Sequence, residues 1–300
     1  MRTAILLGSL LLFSAQCAVS QVVNQRLIDS DGYEHLLGPL TEEGLSSPPF
    51  GEWFERGVDQ YEPDRQIVER IDNLTDYDIE VFMGTWCSDS RREVPRLIKT
   101  LHELSFPPAQ LSIIGVNRSK DQYKQSPSGE EAGKNIHRVP TIIFYKDGRE
   151  VDRIVESPIV SLEQDIQTIT SGGEYTPNYL AVTKLNDLLQ SRGLSFVSDE
   201  AGSIADDLKP LSTKPSELAT YGSVHLYRKN IDKAVAVFEI NRLLFPDEAV
   251  VYASLAAAYY DQGSYGKAEA NAMEALKLEP DNESALEILA AIATLDAVRQ

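Results

Sequence analysis

Residues 79–101 predict a strand, a tight turn and a helix in succession, and they constrain the fold more than any other stretch of the chain. Residues 79–83 (IEVFM) form a β-branched and aromatic run that ends at Gly84 and Thr85. The helical pattern after the turn places its apolar residues on one face, and these are Val94, Leu97, Ile98 and Leu101. Cys87 therefore lies in the turn between a predicted strand and a predicted helix.

The position of Cys87 favours a reactive thiolate. The first turn of a helix has backbone N–H groups without helical partners, and the helix dipole is positive there. Both features favour an anion. The residues that follow, 88–92 (SDSRR), are polar, which makes an inert buried cysteine the weaker interpretation. Asp89 suits the helix dipole but disfavours a neighbouring anion, so its net effect stays open.

Residues 1–20 have the pattern of a secretory signal peptide. Arg2 is basic, residues 4–13 are apolar but too short to span a bilayer, and residues 18–20 (AVS) are small. We therefore expect a secreted or periplasmic protein. A buried first helix is one alternative. A lipoprotein anchor at Cys17 is another, although the preceding residue is a glutamine rather than a small one.

The chain has two cysteines, and removal of the signal leaves Cys87 alone in a compartment where disulfides form readily. No intramolecular disulfide is then expected to hold the fold together. A leftover cysteine in a secreted protein is a reactive thiol or an intermolecular partner. A homodimer linked through Cys87 is therefore one open alternative.

Composition is that of a globular protein long enough for two domains, with 300 residues of which 42% are hydrophobic and 25% are charged. The net charge of −18 argues against nucleic acid and anionic membrane surfaces as partners. No stretch after the signal is apolar enough to span a membrane.

Residues 21–75 are interpreted as an N-terminal extension that packs on the core. Gly and Pro interrupt it repeatedly, and Trp53, Phe54 and Tyr61 supply large apolar anchors between the breaks. A helix is expected after residues 62–64 (EPD). An alternative role for Trp53 is to line a substrate groove as part of a lid.

The pattern after the Cys87 helix alternates between strands and helices. Residues 111–116 predict a buried strand, and residues 117–133 form a polar loop. Two more strands joined by an Asp-Gly turn, and then a helix, are predicted at 141–145, 150–155 and 161–169. This order indicates an α/β domain with a mixed sheet flanked by helices.

Residues 76–170 resemble the thioredoxin family. The matching features are Trp86-Cys87 at the helix start, Pro95 eight residues after the cysteine, Val139-Pro140-Thr141 before a strand, and the turn at residues 146–148 (KDG). The resemblance implies a thioredoxin-like fold in which Pro95 bends the active-site helix. It also implies that Pro140 is cis and faces Cys87, with Val139, Pro140 and Thr141 binding substrate backbone.

Two departures from that family change the expected chemistry. The second cysteine of the Cys-x-x-Cys motif is replaced by Ser90, and the buried acid six residues before the nucleophile is replaced by Val81. We therefore expect monothiol chemistry, with Cys87 as nucleophile and Trp86 beside it. Ser90 is expected to support the thiolate through its hydroxyl.

The expected substrates are protein or peptide mixed disulfides and oxidised protein thiols, with an external low-molecular-weight thiol such as glutathione for release. The alternative is a non-catalytic scaffold that has kept the peptide groove. The four histidines (His35, His102, His137 and His225) have no metal-ligand spacing, so packing or surface roles are expected. No phosphate loop or G-x-S-x-G occurs, and no metal or cofactor is predicted.

The chain changes character after residue 170. Residues 171–212 are predicted to contain a helix at 178–191 and a polar linker at 193–210. Residues 213–300 contain an internal repeat, since residues 245–248 (FPDE) recur 34 positions later as residues 279–282 (EPDN).

A period of 34 residues resembles tetratricopeptide repeats, which implies an all-α repeat domain. Residues 283–298 are interpreted as its capping helix. The resemblance implies a bound protein partner, and the alternatives are a buttress for the α/β domain or self-association.

Overall fold

The computed structural model describes residues 22–299, so the predicted signal at residues 1–20 and Cys17 lie outside the described part. Within that part, a six-stranded mixed sheet with its own helices is followed by a helix-rich C-terminal region. We call residues 22–170 the sheet region and residues 180–299 the helical region.

The sheet has the strand order β1-β2-β4-β3-β5-β6. Its strands are β1 (Gln25–Ile28), β2 (Glu34–Leu40), β3 (Asp78–Met83), β4 (Leu111–Gly115), β5 (Thr141–Lys146) and β6 (Arg149–Val155). Strands β3 and β4 are parallel, and every other neighbouring pair in this sheet is antiparallel. The α/β layout with a mixed sheet is therefore confirmed.

The helices of the sheet region are α1 (Glu42–Ser46), α2 (Gly51–Gln60), α3 (Arg65–Val68), α4 (Ser88–Glu103) and α5 (Leu162–Thr170). The helices of the helical region are α6 (Leu180–Ser191), α7 (Gly193–Asp199), α8 (Ala201–Leu208), α9 (Ser216–Tyr227), α10 (Ile231–Leu244), α11 (Ala249–Asp261), α12 (Tyr265–Leu278) and α13 (Glu283–Arg299).

Alternation along β3 separates two apolar clusters, because successive side chains of a strand point to opposite faces. Val81 and Met83 join the larger cluster with Val94 and Leu97 of α4. Phe82 joins a smaller cluster on the other side, and Trp86 and Cys87 pack against that smaller cluster. The turn after β3 thus brings the thiol to the edge of an apolar patch.

The N-terminal extension contributes strands as well as packing. Strand β2 pairs antiparallel with β4, so the first two strands extend the sheet. Helix α2 packs on α4, and Trp53 and Phe54 are buried in the larger apolar cluster. Because Gly and Pro interrupt this segment repeatedly, its two short strands, β1 and β2, were not predicted from the sequence.

The predicted polar linker at residues 193–210 is wrong, since α7 and α8 occupy it. Val197, Ile204 and Leu208 are buried in one cluster with Val237 and Ile240 of α10. Helices this short gain their stability from packing rather than from intrinsic propensity, which is why the local composition was misleading.

Two helical hairpins follow, α9 with α10 and α11 with α12, and α13 packs on the second of them. Helix α10 begins at Ile231 and α12 begins 34 residues later at Tyr265, which is the spacing of the sequence repeat. Among residues 22–299, no helix combines the length and the apolar character needed to cross a membrane.

The two regions meet at the loop between β4 and β5. Arg228, the residue immediately after α9, donates from Nη2 to the carbonyl oxygen of Lys124 at 3.0 Å. Arg138 donates from Nη2 to the carbonyl oxygen of Ser216 at 2.8 Å. The helical region therefore braces the loop that ends in residues 139–141.

Candidate functional site

Cys87 is the residue immediately before α4, with extended backbone torsions of φ −92° and ψ 127°. Its N–H donates to Gly84 O at 2.9 Å, which closes the turn after β3. Its side chain accepts no capping hydrogen bond from the first turn of the helix and is partly exposed. The sulfur is thus held beside the positive end of a 16-residue helix and can still be reached from solvent.

The Cys87 sulfur lies 3.2 Å from the carbonyl oxygen of Val139, close enough for the thiol to donate to it. The peptide bond between Val139 and Pro140 is cis. Thr141 begins β5, and its hydroxyl donates to Arg138 O at 2.8 Å. Four residues singled out from the sequence, Cys87 and 139–141, therefore share one site.

Trp86 forms one wall of this site. Its indole Nε1 donates to Val116 O at 2.9 Å, which anchors the ring to the end of β4. Gly84 is required beneath the ring, because an added Cβ would lie 2.5 Å from a Trp86 ring carbon. Trp86 thereby orders the turn that presents Cys87.

Ser90 is fully buried one turn into α4. Its hydroxyl oxygen accepts a hydrogen bond from Gly84 N–H at 3.2 Å. This bond uses a lone pair and not the hydroxyl hydrogen, so the expected donation to the Cys87 sulfur stays a prediction. The observed role of Ser90 is to tie the helix to the turn.

The charges that follow Cys87 are distributed unevenly. Asp89 pairs with Arg92 at 2.8 Å, so its charge is partly compensated. Arg91 instead places its guanidinium 5.2 Å from the ring centre of Trp53. Trp53 therefore contacts a residue of α4 in addition to packing in the larger apolar cluster.

Lys124 and Tyr123 are site residues that the sequence reasoning missed. Lys124 is buried in the loop between β4 and β5, and its Nζ lies 2.8 Å from the Tyr123 hydroxyl. Burial, assisted by the Arg138 charge and opposed by Cys87 and Glu156, lowers the pKa of Lys124 to about 7. A lysine in a polar loop gives no local signal of burial.

Arg138 and Glu156 form a second charged group at this loop. Arg138 Nη1 pairs with Glu156 Oε1 at 3.1 Å, and its guanidinium lies 4.8 Å from the Tyr179 ring centre. The Tyr179 hydroxyl donates to Glu156. Arg138 directly precedes Val139 and Pro140, so this group links that segment to the start of the helical region.

The histidines do not converge on the thiol. His137 is buried, His35 pairs with Asp29 at 2.7 Å, and His102 lies on the surface. Residues 22–299 contain no group of three or more Cys, His, Asp and Glu side chains placed to hold a metal ion. The arrangement offers one free, partly exposed sulfur beside the Val139 carbonyl.

The chain matches no protein-family model and no curated protein.

Proposed function

We propose that this protein is a thioredoxin-like, monothiol thiol–disulfide exchange protein that acts through Cys87. The observation that supports this most is the placement of a partly exposed sulfur before α4 and 3.2 Å from Val139 O. A substrate peptide that aligns along residues 139–141 would present its sulfur to Cys87.

The exchange conserves atoms and electrons. The Cys87 thiolate attacks one sulfur of a substrate disulfide, a new S–S bond forms, and the other substrate sulfur leaves as a thiolate with the electron pair. An external thiolate such as glutathione then attacks the substrate sulfur of the mixed disulfide, a new S–S bond joins the substrate to glutathione, and Cys87 leaves as a thiolate with the electron pair. Ser90 cannot perform this second attack, so the external thiol is a co-substrate.

The helical region supports a role in holding a protein partner. Its hairpins repeat every 34 residues, which is the tetratricopeptide period, and we propose that it is such a repeat domain. Arg228 contacts the loop between β4 and β5, and Val139 of that loop lies beside Cys87. A partner bound to the helical region near Arg228 would therefore lie close to the thiol. We also propose a secreted or periplasmic location, on the basis of residues 1–20.

The test is reduction of insulin disulfides with and without glutathione. We expect turnover only when glutathione is present, and none with Cys87→Ser. Intact mass should show one glutathione on wild-type protein after exposure to oxidised glutathione. Absence of both turnover and adduct would rule out exchange.

A non-catalytic scaffold is the second candidate, and Ser90 and Val81 favour it. Val81 is fully buried between β4 and β5 and carries no proton, while Ser90 is occupied in tying α4 to Gly84. A scaffold predicts that wild type and Cys87→Ser recover the same partners non-covalently. Exchange predicts instead that partners are recovered as disulfides with wild type alone.

A further inference from the structure

An open cleft of about 590 Å³ lies between α2 and α4, and its lining includes Ser88, the residue that follows Cys87. Four arginines line it together with Trp53 and Ser88, and these are Arg56, Arg91, Arg92 and Arg96. We call it the arginine cleft. Such a concentration of guanidinium groups stands out in a chain with a net charge of −18.

The carboxylates around the arginine cleft do not neutralise Arg91. Glu93 Oε1 pairs with Arg92 at 2.6 Å and with Arg96 at 3.4 Å. Asp89 also pairs with Arg92, and exposed Glu52 lies 3.6 Å from Arg56. Among residues 22–299, no carboxylate pairs with Arg91, whose guanidinium faces the Trp53 ring.

Trp53 adds an unpaired donor to the wall of the arginine cleft. Its side chain is 8% exposed, and its indole Nε1 has no hydrogen-bond acceptor in the described part of the chain. That buried N–H is left without a partner, at a cost in free energy. Guanidinium groups also bind carboxylates in a planar, two-point geometry.

The arginine cleft extends to the first turn of α4, which directly follows Cys87 in the chain. Ser88, which lines the cleft, directly follows Cys87, and Arg91 N–H donates to Cys87 O at 3.0 Å. A small molecule anchored on Arg91 and Arg96 would therefore keep the rest of its length within reach of Cys87.

We propose that the arginine cleft binds the carboxylates of a small anionic thiol or its disulfide and so selects the exchange partner of Cys87. This inference rests on the proposed exchange. The Cys87 thiolate attacks the bound disulfide, forms the mixed disulfide with one half, and releases the other half as a thiolate.

The first experiment measures binding without exchange. Cys87→Ser protein is titrated with S-methylglutathione, which has no free thiol, and Trp fluorescence is followed because Trp53 lines the cleft. We expect saturable binding that Arg91→Gln weakens about tenfold, as loss of one charged hydrogen-bonding partner does. The matched control is Arg149→Gln, at an exposed arginine outside the cleft.

A ligand change gives a readout that does not depend on folding of a variant. The diethyl ester of S-methylglutathione has lost both carboxylate charges, so it should bind about tenfold more weakly. Equal binding of acid and ester, or no binding of either, overturns the inference.

The second experiment separates the inference from the proposed function. Reduced wild type reacts with the dianionic 5,5′-dithiobis(2-nitrobenzoate) or the neutral 4,4′-dipyridyl disulfide, and each rate is divided by that of free cysteine. Arg91→Gln should slow the anionic reaction alone. If Arg91→Gln slows both reactions equally, or slows neither, the proposed role of the arginine cleft is contradicted. Failure of Cys87 to exchange with protein disulfides, while the acid still binds better than the ester, removes the proposed function and leaves the anion site.

Discussion

The Cys87 sulfur lies 3.2 Å from the carbonyl oxygen of Val139, although 52 residues separate the two in the chain. The turn after β3 presents the sulfur, and the loop before β5 presents the carbonyl. The site therefore exists only where two parts of the sheet region meet, and its integrity depends on both.

Ser90→Cys should convert capture into turnover. Ser90 is buried one turn after Cys87, and a thiol is close to a hydroxyl in size, so the substitution fits the site. A second thiolate at that position attacks the mixed disulfide, expels the product as a thiolate and leaves an internal disulfide with Cys87, which added dithiothreitol reduces for the next cycle. We expect Ser90→Cys to reduce insulin with dithiothreitol as the reductant and without glutathione, faster than wild type does, measured by turbidity.

Ser88→Cys is the matched control for that prediction, because Ser88 adjoins Cys87 but is exposed. Turnover by Ser88→Cys equal to that of Ser90→Cys would show that the position of the second thiol is irrelevant. An internal disulfide in Ser90→Cys without turnover would favour the scaffold.

Gly57→Ala should destabilise the contact between α2 and α4. An added Cβ at Gly57 would lie 2.7 Å from Pro95 Cβ, so the helices must separate. Overpacking of this kind costs about 1–3 kcal/mol. We expect a lower free energy of unfolding in urea and weaker S-methylglutathione binding. Gly202→Ala is the control, because its Cβ meets nothing within 4 Å, and it should be stabilising by up to about 1 kcal/mol.

Acid should destabilise the protein through His137. Burial is the main cause that lowers the pKa of His137 to about 3. The charges of Lys124, Arg138 and Arg153 act in the same direction, and the hydrogen bond to Asn135 O acts against it. The unfolded chain binds the proton near pH 6.5 and the folded chain does not, so the free energy of unfolding falls between pH 6.5 and 3. The slope contributed by one such group approaches about 1.4 kcal/mol per pH unit.

The measurement for His137 is urea unfolding at pH 7, 6, 5 and 4, compared with His137→Gln. The variant should lose less stability on acidification than wild type. His102→Gln serves as control because the His102 side chain is 55% exposed. Identical pH profiles for wild type and His137→Gln would contradict the assignment.

Arg228→Ala should loosen the loop beside Cys87. The substitution removes the hydrogen bond to Lys124 O and the 3.5 Å pair with Glu131, whose side chain is buried. Leaving a buried charge without its partner costs on the order of 1–3 kcal/mol. We expect faster hydrogen exchange in residues 117–133, measured by mass spectrometry.

Lys229→Ala is the control for Arg228→Ala, since the Lys229 side chain is 75% exposed and its pair with Asp261 is long at 3.7 Å. Hydrogen exchange in the loop should be unchanged in this variant. Equal acceleration by both substitutions would mean that α9 as a whole, and not Arg228, holds the loop.

Most of the strands and helices could be predicted from the local periodicity of apolar residues. The change from an alternating pattern to a helical one around Cys87 is visible in sequence, and β3 and α4 lie on either side of it. The 34-residue repeat likewise anticipated the spacing of α10 and α12. Helices α7 and α8 escaped prediction because each is short and is stabilised by contacts with α10, while the Gly, Ser and Asp residues between their apolar positions are typical of a linker.

The sequence by itself determined that Cys87 lies between a buried strand and a helix. The apolar run before Cys87 is typical of a strand, and the spacing of apolar residues after it is typical of a helix. It also determined that Ser90 offers no second thiol. Tertiary structure alone decided that Val139 faces the sulfur, that Trp53 meets Arg91 in the arginine cleft, and that Lys124 is buried nearby. These contacts join segments distant in the chain, and they arise from sheet pairing and helix packing, which no local pattern records.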